Sequence, residues 1–195
     1  MEEPVRQRRP GGRTADVTRR INDAVIQLLI EGGLDACTFQ NVAERARIER
    51  STLYRRNPDR WPTIVDALVE YVGRMLPATD AGSFRCNLRS LLLNVRDLLA
   101  GPLGAPLLGA AAALQGGIAP GLLVKAWTDR QLQLAPMFEV AIERGELAPD
   151  VDRDRLLAMA TGPLFFYALM IGHPADDAVI DSVVDLVTDR FRPER

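Results

Sequence analysis

Apolar residues in this chain recur at three- and four-residue spacing and nowhere alternate with polar ones, which is the pattern of helices rather than strands. Ile21, Ala24, Val25, Leu28 and Leu29 form one stripe, and Ile64, Leu68, Tyr71, Val72 and Met75 form another. An all-α fold follows. Its helices are punctuated by Gly32-Gly33, Pro58, the segment 77–83, Gly101-Pro102, Gly116-Gly117 and Pro149-Asp150. Beyond residue 83 this leaves helical runs at about 84–100, 104–115, 120–144, 152–172 and 176–191. Pro136 and Pro163 fall inside two of these runs and predict kinks.

The segment 38–60, TFQNVAERARIERSTLYRRNPDR, carries the clearest functional pattern. Thr38 is placed to cap a short helix whose Val42, Ala43 and Ala46 face inward. Arg47-Ile48-Glu49 makes a turn, and a second short helix runs from about Arg50 to Arg56 around a buried Leu53. Pro58 ends it, because the residue before a proline avoids the helical region. Asp59 can then cap a fourth helix, with Pro62 tolerated in its first turn.

Two short helices joined by a tight turn, the second bearing polar and basic groups, read either as an ordinary charged face on a small helical hairpin or as a helix-turn-helix, whose first helix braces the second in the DNA major groove. Arg50, Ser51, Thr52, Arg55 and Arg56 then turn toward the groove or its walls, and the Tyr54 hydroxyl can reach a phosphate. Thr38 and Gln40 sit at a helix N-terminus, where backbone amides favour a phosphate oxygen. Arg60 can clamp the flanking strand. Phosphate contacts set register, and only the groove-facing few specify sequence.

Charge partitions in the same way. Residues 1–60 carry 12 arginines against 9 acids, net +3; residues 61–195 carry 12 basic against 17 acidic groups, net −5. Positive charge concentrated on one module lets an acidic chain bind nucleic acid. Lys125 is the one lysine, and arginine suits bidentate phosphate and guanine contacts. Arginines are also abundant outside the segment, so a compositional bias is the better explanation of their number.

The segment resembles the TetR family of bacterial transcriptional regulators. Their Thr-led helix, Ile/Val-Ala pair, short turn and Thr-Leu-Tyr stand here as Thr38, Val42-Ala43, Arg47-Ile48 and Thr52-Leu53-Tyr54. Gly32-Gly33 and the basic stretch from Arg8 to Arg13 also look like family features. There are four departures. Arg47 replaces the usual turn glycine, adding a cation beside the backbone at a conformational cost of about 1 kcal/mol if φ is positive. Glu49 stands for a Ser cap, Arg56-Asn57 for a His-Phe pair, and Trp61-Pro62 for an acidic-apolar pair, with Trp61 available to fill the space of the missing aromatic.

The resemblance implies a flexible basic arm at 1–14, a DNA-binding domain at 15–60 and a helical effector-binding and dimerisation domain at 61–195. It also implies a cytoplasmic homodimer, paired through its C-terminal helices, that binds a double-stranded DNA operator and is released by a small apolar effector. In the second module Trp127, Leu134 and Phe138 share one helix face, while Met159, Phe165, Phe166, Tyr167 and Met170 crowd another. These residues fit an effector pocket and fit a filled core. Ile180, Val183, Val184, Val187 and Phe191 offer a stripe for dimer pairing or for an intrachain core.

No catalytic constellation is visible. The chain has one histidine, His173, expected to meet the last carbonyls of its helix. Cys37 and Cys86 make neither a metal spacing nor a disulfide framework. Asp150, Asp152, Asp154 and Asp176-Asp177 read as helix-start charges rather than metal ligands. No cofactor is expected. The uncharged runs 98–124 and 156–175 are interrupted by glycine, proline or polar residues, and read as buried helices rather than membrane spans. The alternative to a regulator is a helical ligand-binding or protein-interaction protein whose DNA reader has become non-specific.

Overall fold

The computed structural model describes residues 11–78 and 80–193. Among them are nine α-helices and no strands: α1 Gly11–Ala36, α2 Phe39–Ala46, α3 Arg50–Arg56, α4 Arg60–Met75, α5 Phe84–Ala100, α6 Gly104–Ala113, α7 Pro120–Glu143, α8 Arg153–Phe166 and α9 Asp177–Arg190. Two π-helical turns, Leu114–Ile118 and Tyr167–Ile171, follow α6 and α8. The expected arm lies largely outside the described residues, and Gly11–Thr14 belongs to α1.

Caps explain most of the helix starts. Thr38, Ser83, Asp152 and Asp176 each accept the backbone N–H three residues on, at 2.9–3.2 Å. Asp59 accepts from the Trp61 N–H at 3.2 Å. α1 departs from helical geometry at Gly32 and Gly33, where φ reaches 64° at Gly33, a region that glycine enters without strain. α7 and α8 run on through Pro136 and Pro163; the irregularity is the π turn that follows α8.

The chain divides into two compact units, Met1–Leu68 and Val69–Arg195. The break falls inside α4, so Trp61, Ile64, Val65 and Leu68, all buried, belong to the first unit rather than the second. In the second unit, the apolar faces of α5, α7, α8 and α9 make one core that includes Leu88, Leu92, Phe138, Leu156, Leu164, Ile180 and Val184. The sequence stripe Ile180, Val183, Val184 and Val187 is thus intrachain core, with Phe191 half-buried against it. At the bend between α5 and α6 (88°), a Cβ on Gly104 would collide with the Leu99 carbonyl.

Ion pairs lace the outside of this core. Arg89 meets Asp181 at 2.6 Å and Asp177 at 3.4 Å, Arg96 meets Asp177 at 2.6 Å, and Arg85 meets Asp185. The segment between α4 and α5 is also tied down. Asp80 takes a two-pronged bond from Arg144 (2.9 and 2.8 Å) and accepts from the Gly82 N–H at 3.1 Å. The Arg144 guanidinium, followed by that N–H, draws the Asp80 carboxyl down to about 2.

Candidate functional site

The turn between α2 and α3 is closed by two backbone bonds. Ile48 N–H donates to Ala43 O at 3.0 Å and Arg47 N–H to Glu44 O at 3.2 Å, a Schellman closure. Arg47 sits at φ 52°, ψ 53°, the left-handed conformation usually left to glycine. Arg20 of α1 donates to the Ala46 carbonyl and, at 2.5 Å, to the Arg47 carbonyl. This brace spans 26 residues of sequence, and no local pattern announces it. Arg45 and Glu31 make a second link from α2 to α1 at 2.5 and 2.6 Å.

Leu53 is 1% exposed and anchors α3. With it inward, Arg50, Ser51, Tyr54 and Arg55 face solvent while Thr52 is half-buried. Arg50 and Tyr54 act as one unit: the guanidinium donates to the phenol oxygen at 2.8 Å and lies over its ring at 5.2 Å. Phe39 meets the same ring edge-on at 4.9 Å. Thr38, Gln40 and Arg47 are exposed beside this face, with Gln40 donating to Glu44 at 3.1 Å.

Two further expected cations also have internal partners. Arg56 donates to Thr18 Oγ1 at 2.9 Å, and the half-buried Arg60 donates to the Leu34 carbonyl at 3.2 Å while lying over Trp61. Glu49 precedes α3 without making a side-chain cap. Asn57 donates to Thr63 Oγ1 at 3.1 Å, a polar substitute for aromatic packing at that end of α3. Cys37 is buried, with its thiol near the Val25 and Gly33 carbonyls, and burial pushes it up to about 11. It is an inert core residue.

The second unit contains an apolar cavity of about 150 Å³. Of the residues expected on the two apolar faces, it brings together Trp127, Leu134 and Phe165, and adds Arg130, which no pattern in the sequence marks. Phe138 is elsewhere, fully buried against Phe84 at 5.9 Å and beneath Arg153 at 5.3 Å. Met159, Phe166 and Met170 are 36%, 54% and 72% exposed and do not line the cavity. Helix phase explains the difference: one residue along α8, from Phe165 to Phe166, turns a side chain by about 100° away from the wall. Trp127 is fixed by its indole N–H, which donates to Asp154 at 2.8 Å. His173 contacts the Pro174 carbonyl at 3.0 Å rather than the carbonyls of its own helix, because the chain turns at Gly172 in the left-handed region.

No group of three or more His, Cys, Asp or Glu among the described residues could hold a metal ion. One helical stretch, 153–171, is long and apolar enough to cross a membrane, with 22% of it buried. Length and composition alone do not separate a span from a helix whose apolar face is covered by a partner.

Among the described residues, nine helices with a braced helix-turn-helix at α2 and α3 define the fold of a helix-turn-helix protein. Residues 78–187 match the family described as Tetracyclin repressor-like, C-terminal domain, and the chain belongs to the TetR family of transcriptional regulators. It is a DNA-binding regulator of transcription and not an enzyme. An HTH-type transcriptional regulator of Bacillus subtilis, YdeS, is 27% identical over 176 residues, covering 89% of this chain and 87% of that protein. AqdR of Rhodococcus erythropolis, another HTH-type regulator, is 24% identical over 182 residues, 90% and 85% of the two chains. The crystal structure of the TetR-family regulator SCO0332 superposes with a TM-score of 0.74 at 26% identity, covering 91% of this chain and all of that one.

Proposed function

We propose that the protein is a homodimeric repressor that leaves its operator when a small apolar molecule enters the cavity of its C-terminal unit. The observation that carries the DNA-reading half is the outward face of α3. Among the described residues, none of Arg47, Arg50 and Arg55 pairs with a carboxylate, and all three are exposed. In this reading residues 15–60 are the reader, with 1–14 its basic arm and the buried face of α4 up to Leu68 completing its core, and the rest of 61–195 binds effector and partner. Arg55, Ser51 and Thr52 meet base edges, the Arg50–Tyr54 unit and Arg47 meet the backbone, and Thr38 and Gln40 hold a phosphate at the start of α2. Arg56 and Arg60 join the phosphate contacts by exchanging Thr18 and Leu34 for the DNA.

Dimerisation is supported by apolar groups left bare near the C-terminus. Phe166, Leu169, Met170 and Ile171 are 47–72% exposed, as is Leu186 of α9 at 65%. A second copy covering this surface buries it and pairs two readers. Operator half-sites then lie about 34–36 Å apart along one duplex face. α4 carries Arg60 at its start and Val72 on the cavity wall, so a ligand that favours one setting of this helix shifts the population away from the DNA-bound form. A protein acting on the chromosome of a bacterial cell works in the cytoplasm.

The test titrates the purified protein against the duplex upstream of its own gene and a shuffled duplex of equal length, at two salt concentrations. Preference for the upstream duplex should survive the higher salt, with a two-half-site footprint. Equal, salt-labile binding to both duplexes, and to genomic fragments selected with the protein, would sink the specific reader and leave a helical ligand-binding protein with a merely basic surface.

A further inference from the structure

The cavity wall contains one charged group, Arg130 of α7, among leucines, valines and aromatic rings. Its guanidinium donates to the Leu76 carbonyl at 2.8 Å and to Gln133 Oε1 at 3.2 Å, which engages two of the five N–H groups an arginine offers. No carboxylate pairs with it among the described residues. Its surroundings otherwise favour pairing: Arg85, Arg89, Arg96 and Arg144 in the same unit each hold an aspartate. Burial alone, with no acid opposing it, draws Arg130 down to about 10, so it stays cationic at neutral pH. A cation held in an apolar wall without a counter-charge carries a desolvation cost that a bound anion offsets.

We propose that the effector is a compact apolar carboxylic acid whose hydrocarbon part fills the space between Val95, Leu98, Leu134 and Phe165 and whose carboxylate is held by Arg130. The inference rests on the reading of this cavity as the effector site. A space of about 150 Å³ is benzene-sized, which suits a single ring or a chain of roughly six to eight heavy atoms. Trp127 closes one side and contributes only apolar surface there, because its N–H is already given to Asp154. The guanidinium also bonds the Leu76 carbonyl beside the last turn of α4, so a carboxylate that competes for it changes the restraint on that helix.

The experiment is calorimetric titration of the full chain with benzoate, phenylacetate and the straight-chain acids from butyrate to octanoate, each against its neutral amide. At least one acid should bind about tenfold or more tighter than its amide, as expected for hydrogen bonds to a charged partner. In Arg130→Met that ratio should fall to near one while amide binding remains. In Arg130→Lys it should fall several-fold without vanishing, since lysine keeps the charge and loses the fork. Were Arg130 only a tie between α7 and the end of α4, both variants would lower Tm and leave the ratio unchanged, which would overturn the proposal. If Arg130→Met does not fold, the lysine variant carries the same comparison. Amides that bind as tightly as acids would overturn carboxylate recognition and leave the cavity as effector site. Binding of no acid and no amide would overturn the cavity reading itself, and this proposal with it.

Discussion

The two units use arginine in opposite ways. On α3 and the turn before it, Arg47, Arg50 and Arg55 face solvent and, among the described residues, hold no acid. On α5, Arg85, Arg89 and Arg96 reach Asp185, Asp181 and Asp177 at the start and along the length of α9. A compositional bias toward arginine accounts for the abundance in both places and not for this difference in partners. Exposed pairs add little stability, typically about 0–1 kcal/mol each, so the α5–α9 ladder serves alignment of two helices more than strength. Pairing on α3 would instead neutralise charge that a phosphate backbone could use. Arg130 follows neither pattern, being half-buried and hydrogen-bonded within its own unit like a structural residue, yet among the described residues holding no acid, like a reader.

The largest expected effect separates core from surface within the residues that looked alike in sequence. Phe138→Ala should cost about 3–5 kcal/mol in urea unfolding, because the ring is fully buried. Phe166→Ala should leave the unfolding of the isolated subunit within about 0.5 kcal/mol, as an exposed side chain does, and should weaken self-association in sedimentation. Similar losses from both would erase the distinction. Next comes the reader. Arg55→Ala should cost about 1–3 kcal/mol of operator binding, with preference relaxed at one base pair, whereas Arg85→Ala should leave operator affinity intact. Equal loss on every duplex would make Arg55 a phosphate contact.

A smaller effect concerns the turn. Arg47→Gly should raise stability by about 1 kcal/mol, seen as a higher Tm, because glycine adopts φ near 52° without the Cβ clash. The same change should weaken DNA binding and flatten its salt dependence, by removing a cation. A lowered Tm would mean that the Arg47 side chain holds the turn. The smallest expected effect is on Asp80. Its carboxyl is depressed in the folded state from 3.8 to about 2, so its pairing with Arg144 contributes stability above pH 4 that is lost as pH falls toward 2. Asp80→Asn should therefore lower Tm by a constant amount from pH 7 to 4, with the difference closing by pH 2. A gap that persists at pH 2 would trace it to hydrogen-bond geometry rather than charge.

Much of the fold was legible because helices are local. The stops at Gly32-Gly33 and Pro58, the cap at Thr38, the helix-start acids Asp152 and Asp176 and the limits of α5 and α9 all depend on neighbours within a few residues. The outward face of α3 was legible for the same reason, since one buried residue, Leu53, fixes the phase of a seven-residue helix. The cavity was only half legible. Trp127 and Leu134 line it, but Phe138, Met159, Phe166 and Met170 do not, because apolar character does not say which neighbour a helix face meets. Arg130 gave no sequence signal at all, standing among polar residues on an amphipathic helix.

The sequence by itself determined an all-helical chain, its breaks and the face a reader presents, since backbone hydrogen bonds, capping side chains and proline act over one or two turns. The tertiary structure alone decided the Arg20 brace on the Ala46 and Arg47 carbonyls, the placing of half-buried Arg130 in an apolar wall and the burial of the Ile180 stripe within the subunit. Each joins or encloses groups from helices distant in sequence, and only the packing of side chains around a shared core brings such groups together.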